Sequence, residues 1–381
     1  LAATYLHDFD ADLFALLFAV GGACLWKKTI EEKALKQKII FGVLGALLLS
    51  VALGIYQSYV SVTITLIMFG CIEMLLKNQD WKSVLNSGIT GILMLGGSAI
   101  LYVIEIYIFS GITGISILSN TSYNGLGNMS SVLESGFLGK IAGAYVDFAN
   151  SFIGLNSAYP GRFYLIIHGI LALEILILSF YGMRKIQLQN KGLFVLLGVL
   201  MPLGMNVSYL LSGEMVHDIM RYAFWLIYLF GGLLVYWLNQ EQDIKGKRKH
   251  LINYVMVGCL LVVIIGNIQT SNTIYLKKDL EYQATLSYMT RVAEKIEEQE
   301  EYVPGKTPVY FSQKTDLGNP MSGFSAFEDI TGVQSSSPIT FYETYEKYFR
   351  YVLNIPIKLY EGDSLNENGQ IQEMPVFPKE V

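Results

Sequence analysis

Apolar runs long enough to cross a bilayer, separated by short charged loops, leave this chain few folds to choose from. A hydrocarbon core of about 30 Å takes roughly 20 apolar residues of helix. Runs of that kind cover residues 11–26, 39–55, 57–76, 85–109, 163–181, 193–212, 219–238 and 251–268. In lipid every backbone N–H and C=O must find a partner inside the protein, so runs of this length read as helices. The expected fold is an all-α polytopic membrane bundle of about eight transmembrane helices. Charged residues make up 15% of the chain, against about 25% in soluble domains, and the deficit lies in the runs. Cys24, Cys71 and Cys259 also fall inside the runs. They read as small buried hydrophobes, not as a disulfide framework or a metal site.

Lysine and arginine give the orientation. The loops after the first, third, fifth and seventh runs carry Lys27, Lys28, Lys33, Lys36 and Lys38; Lys77 and Lys82; Arg184, Lys185 and Lys191; and Lys245, Lys247, Arg248 and Lys249. The other connections carry Lys140, Arg162 and Arg221. The excess of positive charge on one set of loops places that set in the cytoplasm. The protein is then a multi-pass protein of the cytoplasmic membrane, with Leu1 and everything after Ile268 outside the cell. The chain opens on Leu1 and has no basic, apolar leader, so an upstream part with an odd number of crossings is expected.

Two outer segments carry their own patterns. The connection 110–162 begins with a Gly, Ser and Asn-rich half, in which Asn120 and Asn128 match a glycosylation sequon common enough by chance to carry no weight. Its second half spaces Phe137, Ile141, Tyr145, Phe148 and Phe152 like one face of a helix, which predicts an interfacial helix on the outer membrane surface. From Ser271 onward acids outnumber bases 17 to 10. There Leu286, Met289, Ala293 and Ile296 mark an amphipathic helix ended by Pro304-Gly305, followed by a strand at 309–311, a helix at 342–353 and a strand near 357–360. The division expected is a membrane domain over 1–269 and a small extracytoplasmic α/β domain over 270–381.

Ionisable groups in or beside membrane helices are costly and usually functional. Asp8, Asp10 and Asp12 lead into the first run. Tyr56 and Gln57 form the tight outer turn between the second and third. Glu105 lies near the outer end of the fourth, and His168 and Glu174 lie in the fifth. Glu214, His217, Asp218 and Arg221 cluster at the outer mouth of the sixth and seventh. His217 and Arg221 are four residues apart, on one helical face, and suit a lipid phosphate. Each has a plainer reading: solvated loop aspartates, an interface tyrosine, carboxyls bonded to backbone, a packed histidine, an arginine reaching for headgroups. The four histidines are too scattered for a metal site, and the sequence leaves a divalent cation open. No Walker or Rossmann pattern and no basic stripe for nucleic acid is present. Chemistry on the outer face would need a lipid-borne activated donor, because nucleotides are not supplied there.

Several stretches, in order along most of the chain, resemble the type II O-antigen glucosyltransferases, the serotype-converting multispanning enzymes of bacterial membranes. They are Leu53-Gly-Ile-Tyr-Gln-Ser-Tyr59, His217-Asp-Ile-Met-Arg-Tyr-Ala223, the run from Asn272 to Thr285, the run from Thr290 to Glu297 with Pro308-Val309, and Glu373-Met-Pro-Val-Phe-Pro378. The resemblance implies a C-type (GT-C) glycosyltransferase fold. It implies transfer of glucose from a polyprenyl-phosphate donor to a cell-surface polysaccharide or lipid-linked glycan acceptor on the outer face, with inversion. A carboxylate would deprotonate the acceptor hydroxyl, and cationic groups would stabilise the leaving phosphate. Arg221 and His217, with Tyr56 and Gln57, are the donor-phosphate candidates. Enzymes of this kind keep their acidic motif in the first outer loop, which here is expected to lie largely upstream of Leu1. Asp8, Asp10 and Asp12 are the carboxylates at that end and the candidates for the base; Glu105 and Glu214 are further polar candidates.

Two other classes fit the bundle alone. A transporter or flippase for a lipid-linked glycan would want paired broken helices and polar residues at mid-membrane, for which Glu174 and Pro202-Leu-Gly204 are the hints. A non-enzymatic membrane scaffold would want nothing but the outer domain.

Overall fold

The computed structural model describes residues 9–114, 137–153, 162–211, 216, 218–240, 247–309 and 342–359. Helices α1 (Phe9–Glu31), α2 (Leu35–Ile55), α3 (Val60–Leu76) and α4 (Trp81–Thr113) come first. They are followed by α5 (Phe137–Ile153), α6 (Arg162–Lys185), α7 (Leu188–Met205), the short α8 (Val207–Leu211), α9 (Leu226–Gln240) and α10 (Lys247–Glu297). Then come strand β1 (Pro308–Val309), α11 (Tyr342–Tyr351) and β2 (Lys358–Leu359). Among the described residues seven segments are long and apolar enough to span a membrane; this is a mostly helical membrane protein. Seven of the eight runs read from the sequence fall on those segments. The remaining run, 193–212, folds differently: α7 stops at Asn206 and α8 restarts after it.

Contacts divide the chain into two units, Leu1–Thr270 and Ser271–Val381. In the first, α3 is the central helix, with 67% of its membrane-length window buried. It packs on α1, α4, α7 and α9. Small residues let the helices approach closely, as expected where lipid supplies no hydrophobic drive between them. A Cβ placed on Gly22 would lie 2.6 Å from Leu49 Cγ, and one on Gly45 2.5 Å from Met94 Sδ. The buried Trp26 ring lies against Gly70 and Gly91, and its Nε1 donates to the Ser87 carbonyl at 2.9 Å. A Cβ on Gly70 would stand 2.6 Å from Trp26 Cζ3. Gly70→Leu is therefore expected to cost about 3 kcal/mol by overpacking, read as a drop in thermal stability in detergent. Gly96→Leu, where nothing lies within 4 Å, is the control.

The first three of the basic loops meet at one end of this unit. Lys27 and Lys77 both bond Glu73, each at 2.7 Å. Asn78 Oδ1 accepts from the Gln187 N–H, and Asn190 Nδ2 donates to the Gln79 carbonyl. Lys82 and Arg184 lie over the Trp81 and Phe180 rings. We refer to this as the basic end. The start of α1, the Tyr56 turn and the break at Asn206 mark the other end.

Helix α5 is the predicted amphipathic helix, and it does more than lie on a surface. Ala144 and Asp147 are buried, and Phe148 and Phe152 pack on the core. The Tyr145 hydroxyl donates to the Val199 carbonyl of α7 at 2.7 Å. Pro202 lies within α7 and lacks an N–H, so the Gly198 carbonyl, one residue before Val199, has no helical donor.

In the second unit Met289, Val292 and Ala293 of α10 pack with Tyr345, Tyr348 and Phe349 of α11 and with Ile357. β1 and β2 pair in parallel, Pro308 with Lys358 and Val309 with Leu359. Gly305, at φ 72°, makes the turn after α10 and donates its N–H to the Pro356 carbonyl. Only glycine takes that backbone angle without strain.

Candidate functional site

The α2–α3 turn is built with almost no loop. Tyr56 is extended (φ −156°, ψ 113°), its N–H closing α2 on the Ala52 carbonyl, and a single 3-10 turn, Gln57–Tyr59, leads into α3. Gln57 is exposed and donates to the Tyr102 hydroxyl of α4 at 2.6 Å. One turn deeper, the Ser50 hydroxyl donates to Glu105 Oε1 at 2.7 Å. Gly54 leaves the Glu105 carboxylate uncovered on that side: a Cβ there would come within 3.9 Å of Oε2. The fully packed Tyr59 ring meets Tyr56 edge-on at 5.9 Å and Tyr222 at 5.4 Å. Asp12, in the first turn of α1, is half-buried and close enough to act electrostatically on both Tyr59 and Tyr222. Asp10 is exposed.

At the same end both neighbouring spans depart from α-helix. α7 breaks at Asn206 (φ −114°, ψ 35°). Residues Asp218–Trp225 form a 3-10 helix, with Arg221 itself outside helical geometry at φ −92°, ψ 15°. Non-helical backbone at membrane depth persists where protein or a polar cavity surrounds it, and the bridge region of Arg221 is one that many active-site residues occupy.

A polar cluster sits between these breaks. Arg221 Nη2 donates to Asp147 Oδ1 at 2.6 Å and its Nε to Oδ2 at 3.3 Å. Asn206 Nδ2 donates to Asp147 Oδ2 at 2.9 Å and to the Ala144 carbonyl at 3.1 Å. The two charged side chains are 16% and 10% exposed, so this is a buried ion pair rather than a solvated one. Beside it Phe148 meets Phe224 at 5.1 Å and Phe152. The Tyr228 hydroxyl and His168 Nε2 are 2.9 Å apart. His168 thus behaves as a satisfied packing residue.

Of the residues named from the sequence, the structure brings Asp12, Tyr56, Gln57 and Arg221 to one end, with Glu105 a turn inside it. Asp8, Glu214 and His217 lie outside the described residues, so the His217–Arg221 face is not described. Asp147, Asn206, Tyr59 and Tyr222 were not singled out. One signal existed for Asp147: it is the lone acid in the apolar helix α5, one position before Phe148. Glu174 lies apart from the cluster; it is buried, and among the described residues neither carboxyl oxygen has a partner. No group of three His, Cys, Asp or Glu among the described residues could hold a metal ion.

A family model described as Glucosyl transferase GtrII matches residues 13–216. The chain belongs to this family. Searches of curated proteins and of solved structures found no match. As a GtrII member the protein is a glucosyltransferase that takes part in glycan modification. The GtrII match takes in Tyr56, Gln57, Glu105, Asp147 and Asn206; it begins just after Asp12 and ends just before Arg221.

Proposed function

We propose that this GtrII protein moves glucose from a polyprenyl-phosphate donor to a cell-surface polysaccharide or lipid-linked glycan on the outer face of the cytoplasmic membrane. The observation that carries the reading is the placement of Arg221: a guanidinium fork held between two broken helices, at the end of the bundle away from the basic loops. Basic loops favour the cytoplasm, which puts Arg221 on the side without nucleotides, where the donor must be lipid-linked. A guanidinium can take two phosphate oxygens side by side, a geometry lysine lacks.

The reaction is one in-line displacement at the anomeric carbon. The acceptor oxygen forms its bond to that carbon as the bond to the phosphate oxygen breaks. A carboxylate takes the acceptor proton. Arg221 stabilises the charge gathering on the leaving phosphate. Among the described residues Asp12 is the best-placed base, because the Tyr59–Tyr222 pair it acts on adjoins Arg221 in the chain. Glu105, Gln57 and Tyr102 form a polar edge suited to sugar hydroxyls. The bundle is of the C-type glycosyltransferase kind with eight spans, counting the broken run through Asn206. Residues after Ile268 form an extracytoplasmic α/β domain that binds the acceptor glycan.

The test supplies polyprenyl-phosphate glucose to membranes holding the full-length protein and follows label into glycan, with UDP-glucose in parallel. Transfer from the lipid donor is expected. Transfer from UDP-glucose alone, or labelling of a Gln57→Cys variant by an impermeant reagent from the cytoplasmic side only, would overturn the reading.

A further inference from the structure

Asp147 occupies Arg221 in the way a bound anion would. Its two oxygens take the Nη2 and Nε hydrogens of Arg221 and one amide hydrogen of Asn206. A guanidinium fork joined by an amide N–H, in a place with little water, is a donor set that recognises carboxylate and phosphate alike. Here the chain's own carboxylate fills it. A lipid phosphate approaching Arg221 therefore meets a cation already neutralised, and two anions cannot share that fork without strong repulsion.

We propose that Asp147 is a resident counter-ion that the donor phosphate displaces, so that Arg221 exchanges one anion for the other during each catalytic cycle. This rests on the lipid-phosphate reading above. Three features fit an exchange. Asn206 Nδ2 also bonds the Ala144 carbonyl, so α5 stays tethered when Asp147 lets go. Arg221 sits in a 3-10 segment outside helical geometry, where its side chain is not locked by a regular helix face. Finally, the ion pair adds its charge to a hold on α5 that is otherwise neutral: the Asn206 amide on the Ala144 carbonyl, the Tyr145 hydroxyl on the Val199 carbonyl, Phe148 on Phe224, and Phe152 against Phe224, His168 and Tyr228. Loss of the ion pair then loosens α5, and donor binding is communicated to the segment that carries it.

The rival is a permanent clamp in which Asp147 merely orients Arg221, and the two differ in sign. If Asp147 competes with phosphate, Asp147→Asn strengthens phosphate binding; if it orients Arg221, the same change weakens it. The experiment measures binding of a short-chain polyprenyl phosphate, and of inorganic phosphate in parallel, to the full-length protein in nanodiscs. Asp147→Asn is expected to bind polyprenyl phosphate about tenfold more tightly than the unaltered protein, a coupling of ordinary size. Arg221→Gln is expected to lose binding. A matching gain for inorganic phosphate would place the exchange at the phosphate group, and a gain confined to the lipid would place it at the headgroup in its membrane setting. Weaker or equal binding by Asp147→Asn overturns the exchange while leaving the lipid-donor reading intact. Absence of polyprenyl phosphate binding to the unaltered protein defeats that reading and the exchange together. Should Asp147→Asn not fold, hydrogen–deuterium exchange on the unaltered protein decides. Amides of 137–153 are expected to exchange several-fold faster at saturating polyprenyl phosphate, and unchanged or slower exchange overturns the proposal.

Discussion

Arg221→Gln is expected to abolish glucosyl transfer and to lower stability at once. The stability loss comes from Asp147, whose carboxylate would be left about nine-tenths buried with its cation removed. Breaking a buried pair by taking one partner costs about 3–5 kcal/mol. The loss of rate comes from the leaving phosphate, because removing one preorganised donor at a site of developing charge costs about 100- to 1,000-fold. The two effects separate in the double variant Arg221→Gln with Asp147→Asn. That pair is neutral, so thermal stability in detergent should return most of the way while transfer stays at background. Arg221→Lys should keep the charge but lose the fork, and recover stability better than activity. A double variant that transfers glucose within a few-fold of the unaltered protein would remove Arg221 from the donor site.

Asp12→Asn is the second large effect. Loss of a positioned general base lowers rates by about 100- to 10,000-fold. Asparagine matches the shape of aspartate, so the first turn of α1 should hold its place. The loss should fall on kcat, with the donor KM little changed. Asp10→Asn is the internal control: Asp10 is exposed in the same helical turn, and its replacement should leave kcat within a few-fold. Equal behaviour of the two variants would move the base elsewhere.

The helices were legible because their cause is local. A stretch such as 57–76 has to be helical in lipid whatever packs beside it, and the first three of the basic loops that punctuate the runs gather at one end. The succession of helix, turn, strand, helix and strand after Ser271 could also be read from apolar spacing and from Pro304-Gly305. The ion pair was not legible, for a tertiary reason. The stripe Phe137, Ile141, Tyr145, Phe148 and Phe152 gives α5 an apolar face but does not say what that face meets. Only when α5 settles on α7 and α8 does Asp147, beside the stripe, turn toward Arg221. Asn206 was hidden in the same way, as one polar residue in a long apolar run whose break is stabilised by partners distant in sequence. Arg221 could be singled out because a cation at the mouth of two spans needs an explanation in any fold.

The parallel pairing of Pro308 with Lys358 sets the order in which this chain can mature. Helices α1 to α4 pack on one another, close by in sequence, and can settle as they are made. Strand β1, by contrast, waits with its hydrogen-bonding edge bare until the stretch around Lys358 has left the ribosome. A stop codon falling between the two strands would spare the helices already inserted and leave β1 without the strand it pairs with. Nonsense mutations late in the coding sequence should therefore yield protein that reaches the membrane but is clipped by proteases on its unfinished tail.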